Sequence, residues 1–333
     1  MRIERVAQAA GVSISTVSRV LNHPDAVSER TRTQVWAAIE STGYVPNRLA
    51  GGLATSRSRT IGLIIPHILS SAFADVVRGL ADKLVAANFE LLLGLSAYSA
   101  ERELEHVKSF LSQRVAGLVM VGFSHAPLTR KLLKEARIPV VETSDLGTDT
   151  LDMVVGFSNR DAARRMTELI ASCGYRKIAF VSLSTRDNDR EVHRREGYLT
   201  AVTASGGSPV VFESANGVAA GAETFRRLRA QDPGIDAVFC SNDALAVGCL
   251  LEAMRQRIAV PETMGVAGFG DVEMAREFVP ALTTVRVRRY DMGARAAELL
   301  LDRIAGRTVG RAVVDLGYEL VPRSSTRKRP VDG

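Results

Sequence analysis

A chain of 333 residues is too long for one small core and points to two or three folding units. Hydrophobic residues at 46% and charged residues at 24% describe an ordinary globular protein, and no apolar run reaches the ~18 residues of a membrane helix. The net charge of +6 is modest; no secretory leader is expected at Met1–Gly11, and Cys173, Cys240 and Cys249, odd in number and set in apolar runs, read as buried thiols of a cytoplasmic protein rather than a disulfide or zinc framework.

Three short helices are predicted to open the chain. Ile3, Val6, Ala7 and Ala10 recur at helical spacing, and Gly11 stops the run. Ser13 is placed to cap a second helix, Ile14 to Leu21, with Val17, Val20 and Leu21 turned inward. Asn22-His23-Pro24-Asp25 breaks it. Ser28 caps a third helix with Glu29 in its first turn, where the helix dipole favours an anion; Trp36 lies on this helix and Gly43 ends it. Residues 1–58 hold seven arginines (Arg2, Arg5, Arg19, Arg30, Arg32, Arg48, Arg57) against four acids (Glu4, Asp25, Glu29, Glu40), a surplus compatible with nucleic acid.

Pro46 to Thr60 reads as a linker. Beyond it, apolar strands (Ile61–Pro66, Glu90–Leu95, Gly117–Val121) alternate with amphipathic helices (Phe73–Ala87, Glu101–Gln113). A second series follows from about Arg160, with strands Ile178–Ser182, Val210–Glu213, Ala237–Cys240 and Gly265–Phe269. Such alternation predicts two doubly wound parallel-sheet lobes, and a cleft between lobes is a common ligand site.

The string from Ala10 to Asn22 is a helix-turn-helix. Gly11 permits the sharp turn, Val12 plugs the space between the helices, and Ser13 starts the second helix so that its first residues project into a major groove. Ile14 and Ser15 are then placed at base edges, with Arg19 one turn on; Thr16, Ser18 and Asn22 are short donors suited to phosphates. An ordinary helix hairpin does not need this succession of residue types.

These residues resemble the lactose-repressor (LacI) family of transcription regulators, most of all its gluconate-repressor subgroup, over nearly the whole chain. Val27-Ser28-Glu29-Arg30-Thr31-Arg32, Gly43-Tyr44-Val45-Pro46-Asn47-Arg48, Ser241-Asn242-Asp243-Ala244 and Pro280-Ala281-Leu282-Thr283-Thr284-Val285 carry the resemblance further. It implies a small all-α helix-turn-helix domain (1–46), a hinge helix or linker (47–59) and a two-lobed α/β core (60–333) like periplasmic binding proteins. The N-lobe is expected at about 60–157 plus 287–316 and the C-lobe at about 158–286 plus 317–324, with crossings near Gly156–Asn159, Thr284–Arg288 and Leu316–Leu320. It also implies a homodimer or dimer of dimers on a palindromic operator, a small-molecule effector, no cofactor and no membrane partner. Asn47 to Ala54 matches the family's hinge helix. There Leu53 takes the minor-groove wedge position, Asn47 is a cap, and Ser28, Arg48 and Ala50 join the DNA-facing set. Gly51 and Gly52 each cost that helix ~1 kcal/mol relative to Ala, so it is expected to form only on DNA. Arg2 stands where the family places a Ser or Thr cap; either residues precede this start or the first helix is weakly capped.

For the effector, the resemblance points to Arg194, three residues before Gly197-Tyr198, and Arg190 shares its helix face. Asn242 is expected to touch the ligand at the carboxyl end of a strand, with Asp243 able to cap the following helix, and Phe73 to cover an apolar ligand face. Relatives that bind neutral sugars or purines usually carry Asp where Gly270 stands, so this chain lacks an acid there and a carboxylate ligand is favoured. The strings Val155–Asn159 and Ile138–Glu142 match the gluconate subgroup, so gluconate or a related sugar acid is the expected effector, with Glu142 hydrogen-bonding its hydroxyls or serving as a structural acid. Two alternatives remain at this point, a repressor answering to a neutral sugar and a transport-type solute-binding protein. An enzyme is not expected: no P-loop or complete G-x-G-x-x-G is present, Gly122-Phe123-Ser124-His125-Ala126 falls short of a nucleophile elbow, and the five histidines lack metal spacing.

Overall fold

Helix α1 (Ile3–Ala9), α2 (Ile14–Asn22) and α3 (Glu29–Thr42) enclose a small core of Val6, Ala10, Val17, Val20, Val35 and Ile39, with Val12 and Leu21 packed at its margin. Both expected caps form. Ser13 accepts the Thr16 N–H at 3.1 Å and Ser28 the Thr31 N–H at 3.4 Å. Gly11 and Gly43 both take φ of 62°, the left-handed conformation that lets a glycine end a helix. This computed structural model describes residues 3–45, 58–68, 71–147, 149–307 and 313–326. The chain separates into two units, Met1–Ser58 and Arg59–Gly333.

The larger unit begins with β1 (Thr60–Ile65), α4 (Ser71–Ala86), β2 (Glu90–Leu95), α5 (Ala100–Ser112), β3 (Gly117–Val121), α6 (Pro127–Ala136), β4 (Val140–Thr143) and β5 (Met153–Gly156). The chain then builds α7 (Asn159–Ser172), β6 (Ile178–Ser182), α8 (Asp189–Ala204), β7 (Val210–Glu213), α9 (Val218–Gln231), β8 (Ala237–Cys240), α10 (Asp243–Arg255), β9 (Gly265–Ala267) and α11 (Glu273–Glu277). It finishes with β10 (Thr284–Val287), α12 (Arg289–Ile304), β11 (Val313–Asp315) and β12 (Tyr318–Val321). The N-lobe sheet is parallel, in the order β11-β5-β4-β3-β1-β2, and the C-lobe sheet runs β7-β6-β8-β9, also parallel. β10 and β12 pair antiparallel between them.

Strand alternation divides each lobe into two apolar layers. In the N-lobe, Ile61, Leu63 and Ile65 meet Leu80 and Leu84 of α4 and Ala296 of α12, while Ile64, Leu118 and Met120 meet Val107 and Phe110 of α5. In the C-lobe, Ile178 and Phe180 face Ala163 and Tyr198, whereas Ala179 and Val181 face Phe225 and Leu245. Each such side chain, fully buried, contributes ~1.5–3 kcal/mol. β9 is two residues shorter than its apolar run suggests. Past Ala267 the backbone leaves β8 and bonds to the crossing strand instead, Gly268 N–H to Thr283 O at 2.8 Å and Gly270 N–H to Val285 O at 2.7 Å. That turn fixes Phe269-Gly270-Asp271 at the edge of the cleft. Among the described residues no helix is long and apolar enough to cross a membrane.

Candidate functional site

On the smaller unit, the start of α2 presents Ile14 at 46% exposure with Ser15 beside it. An exposed isoleucine at a helix start has no packing role in this domain. The Ser13 hydroxyl lies 2.8 Å from both Ser15 Oγ and Thr16 Oγ1, so one hydroxyl cluster holds the first turn. Arg19 is exposed one turn further on, and Ser18 is partly buried. Asn22 ends α2, but its side chain lies outside the described residues, as do Asn47, Arg48, Ala50 and Leu53. Ser28 is committed to its cap, with Thr31 Oγ1 also at 2.9 Å.

In the larger unit the carboxyl ends of both sheets face one another across a cleft that several polar contacts close. Asp189 accepts the Phe123 N–H from the N-lobe. His193 Nδ1 and Asp145 Oδ2 are 2.6 Å apart, and this hydrogen bond raises the His193 pKa. Asn216 donates to His67 Nε2 at 3.2 Å, which leaves the ring proton on Nδ1; that buried atom has no protein partner. Burial, aided by the Arg190 charge, lowers the His67 pKa and keeps the ring neutral.

Arg190 and Arg194 both lie on α8 and both reach this cleft. Arg190 is 8% exposed, with its guanidinium 5.6 Å from the centroid of the Phe73 ring and 5.7 Å from that of Tyr98. One Nη donates to Asn188 Oδ1 at 3.1 Å, the nearest carboxylate oxygen of Asp189 is 4.0 Å from Nε, and the buried Nε has no hydrogen-bond partner. Arg194 is more heavily engaged. Its Nε donates to Asn159 at 2.8 Å and its Nη1 to the Ser241 carbonyl at 2.7 Å, Glu191 lies at 3.4 Å, and the head group covers the Phe269 ring at 3.9 Å. Burial, with Arg190 and Arg289 adding like charge, brings the Arg194 pKa down to about 10. Gly197 makes this placement possible, because a Cβ there would sit 2.1 Å from the Arg160 carbonyl and hold α8 away from α7.

Gly270 faces Arg289. A Cβ at this position would lie 2.5 Å from Arg289 Nη2 and 3.1 Å from Asp243 Oδ2, and the backbone φ of +141° is one that only glycine adopts freely. Arg289 Nη1 donates to the Gly270 carbonyl at 2.6 Å. Asp243 does not cap α10. Asn242 takes that place, accepting the Leu245 N–H at 3.0 Å, with its Nδ2 directed to Asn216 at 3.4 Å. Asp243 is buried, accepting from Thr284 Oγ1 at 2.6 Å and the Val272 N–H at 2.9 Å; burial raises its pKa.

Comparison with known proteins bears directly on this two-unit arrangement. Residues 2–47 match the family profile described as bacterial regulatory proteins, lacI family, and residues 167–326 match a periplasmic binding protein-like domain. Over 97% of this chain and 98% of the relative, 38% of residues are identical to the HTH-type transcriptional regulator GntR of Escherichia coli K12. The chain belongs to the LacI family of bacterial regulatory proteins. A LacI-family transcriptional regulator from Silicibacter pomeroyi superimposes with a TM-score of 0.92 at 32% identity, covering 99% of this chain and all of that one. The lac repressor dimer bound to operator and the anti-inducer ONPF superimposes at 0.83 and 25% identity, covering 98% and 99%. The family makes this chain a DNA-binding transcriptional regulator, and the relatives it matches are regulators rather than enzymes.

Within this family member, the structure brings together Phe73, Arg190, Arg194, Asn242 and Gly270 around one cleft, and leaves Glu142 out of it. Glu142 points to the α5 and α6 side of β4, where Leu151 N–H donates to it at 2.6 Å and His125 Nε2 lies at 3.5 Å. Strand alternation explains the difference, since Val141 takes the opposite face. Sequence reading missed His67, Tyr98, Asp145, Asn216 and Arg289. The first four follow the carboxyl ends of β1, β2, β4 and β7, where open parallel sheets gather ligands, and that rule applied strand by strand finds them.

Proposed function

We propose that this regulator is a repressor whose cleft takes a sugar carboxylate, gluconate or a close relative, with the carboxylate on Arg190. The observation that carries this reading is the buried Arg190 Nε without a hydrogen-bond partner, on a cation that lies against two aromatic rings. A buried donor left unmatched costs ~1–3 kcal/mol, and an anionic oxygen relieves it. His67 Nδ1 and Asn242 Nδ2 then serve ligand hydroxyls, and Phe73 covers an apolar edge. Gly270 contributes by adding no further acid beside Arg289 to repel the carboxylate. Arg194 supports the site by holding Asn159 and Ser241 in place.

On the DNA side, Ile14 and Ser15 meet base edges with Arg19 one turn further along, while Thr16, Ser18 and Asn22 meet phosphates and Ser28 caps the third helix that faces the DNA. Asn47, Arg48 and Ala50 lead into a hinge helix that inserts Leu53 into the minor groove. The lac repressor on its operator is a dimer, and this chain acts as a homodimer or a dimer of dimers on a palindromic site. Calorimetry with gluconate beside glucose tests the effector. The expected result is gluconate binding about tenfold tighter or more; equal affinities contradict the carboxylate reading.

A further inference from the structure

The amino ends of β4 and β5 lie at the edge of the N-lobe sheet opposite the cleft, and a groove of ~340 Å³ opens there. Its floor is apolar, formed by Leu133, Ile138 and Leu151, and its rim carries Lys134, Arg137 and Arg303. One acid, Asp152, answers these three cations. It pairs with Arg303 at 2.9 Å and also accepts the Val140 N–H at 3.4 Å. The Arg303 Nε is buried and has no hydrogen-bond partner. Among the described residues no carboxylate pairs with Lys134 or Arg137. Arg137 ends α6 at a φ of 51°, a conformation costing a residue with a side chain ~1–2 kcal/mol. That places a strained cation on the rim where glycine would relax the backbone.

We propose that this groove is a second ligand site, for a small amphipathic organic anion with an aromatic or branched apolar body and one carboxylate, phosphate or sulfonate. The apolar floor matches the body, and the surplus of two positive charges matches the head group. Its volume falls at the lower end of the range for small-molecule pockets. A polyhydroxylated sugar acid has no apolar body to offer this floor, so the site is distinct in chemistry from the cleft. Pro139, on its lining, accepts the Leu118 N–H of β3.

The test uses the full chain and the fluorescent probe 8-anilinonaphthalene-1-sulfonate. Saturable binding at one site is expected, weakened about three- to fivefold by Lys134→Glu and by Arg137→Glu, both exposed positions whose change leaves the fold intact. Arg303→Gln gives the same direction of change. The uncharged analogue N-phenyl-1-naphthylamine is expected to bind about tenfold more weakly, and saturating gluconate to leave the probe bound. No binding, binding unaffected by Lys134→Glu and Arg137→Glu, equal binding of the uncharged analogue, or displacement by gluconate each overturns the proposal.

Discussion

Arg190 and Arg194 stand one helical turn apart on α8, yet their head groups are spent differently. Arg194 is fastened to Asn159, Ser241 and Glu191, whereas Arg190 keeps a buried Nε without a hydrogen-bond partner. Spacing alone makes the two equivalent. The difference arises because Arg194 faces the point where the chain passes from β5 into α7, and Arg190 faces Phe73 and Tyr98 of the N-lobe.

Arg194→Ala is therefore predicted to damage the fold before it can be read as a ligand effect. It removes the ion-pair partner of Glu191, which is 3% exposed and whose pKa burial already raises. Breaking a buried pair this way costs about 3 kcal/mol. Urea unfolding of the ligand-free protein checks this, and an unchanged midpoint contradicts it.

Gly270→Ala is predicted to destabilise the core by ~1–3 kcal/mol, from backbone strain at φ +141° and contact with Arg289. Gly270→Asp carries the same cost, so repulsion of a carboxylate is measured only as the difference between the two variants. If Gly270→Ala unfolds at the wild-type temperature, the strain argument fails.

A pH effect is predicted from the cluster that holds Glu142. Burial opposes a charged His125, but the hydrogen bond to Glu103 at 2.9 Å and the Glu142 carboxylate 3.5 Å from Nε2 outweigh it and carry the pKa from 6.5 up to about 9. Between those values the folded protein keeps a proton that the unfolded chain releases. The stabilisation is thus complete below about pH 6.5 and lost as pH rises through about 9, on the order of 3 kcal/mol in all. Unfolding free energies measured across that window should fall with pH, and His125→Gln should flatten the slope. A slope that the substitution leaves undiminished contradicts the assignment, since His193 keeps only its own share.

At the DNA surface, Ile14→Ala or Ser15→Ala is predicted to change base preference at one symmetric position of each half-site, by ~1–3 kcal/mol per base pair. Thr16→Ala or Asn22→Ala should instead weaken binding to all sequences alike. Selection from random DNA separates the two behaviours; an unaltered preference in the Ile14 and Ser15 variants contradicts the recognition-helix reading.

Much of this architecture is legible in the sequence because local rules govern it. Ser13, Ser28, Gly11 and Gly43 act through caps and turns that involve near neighbours, and apolar runs place β1 to β3 and β6 to β9 within a residue or two. The cleft is less legible. Arg289 reaches Gly270 from 19 residues away, and Asp145 reaches His193 across 48. Such pairings depend on how the crossing strands bring the lobes together, which periodicity does not encode. Asn242 and Asp243 show the finer limit: both residue types can cap, and only the placement of Thr284 and Val272 against Asp243 decides between them.

The most direct test of the central claim is fluorescence anisotropy of the full chain on DNA selected from a random pool, titrated with gluconate and with glucose. Gluconate should change the DNA affinity about tenfold or more and glucose should leave it unchanged, while Arg190→Ala should bind the same DNA but respond to neither. A glucose response equal to that of gluconate, or a full gluconate response in Arg190→Ala, would contradict the account.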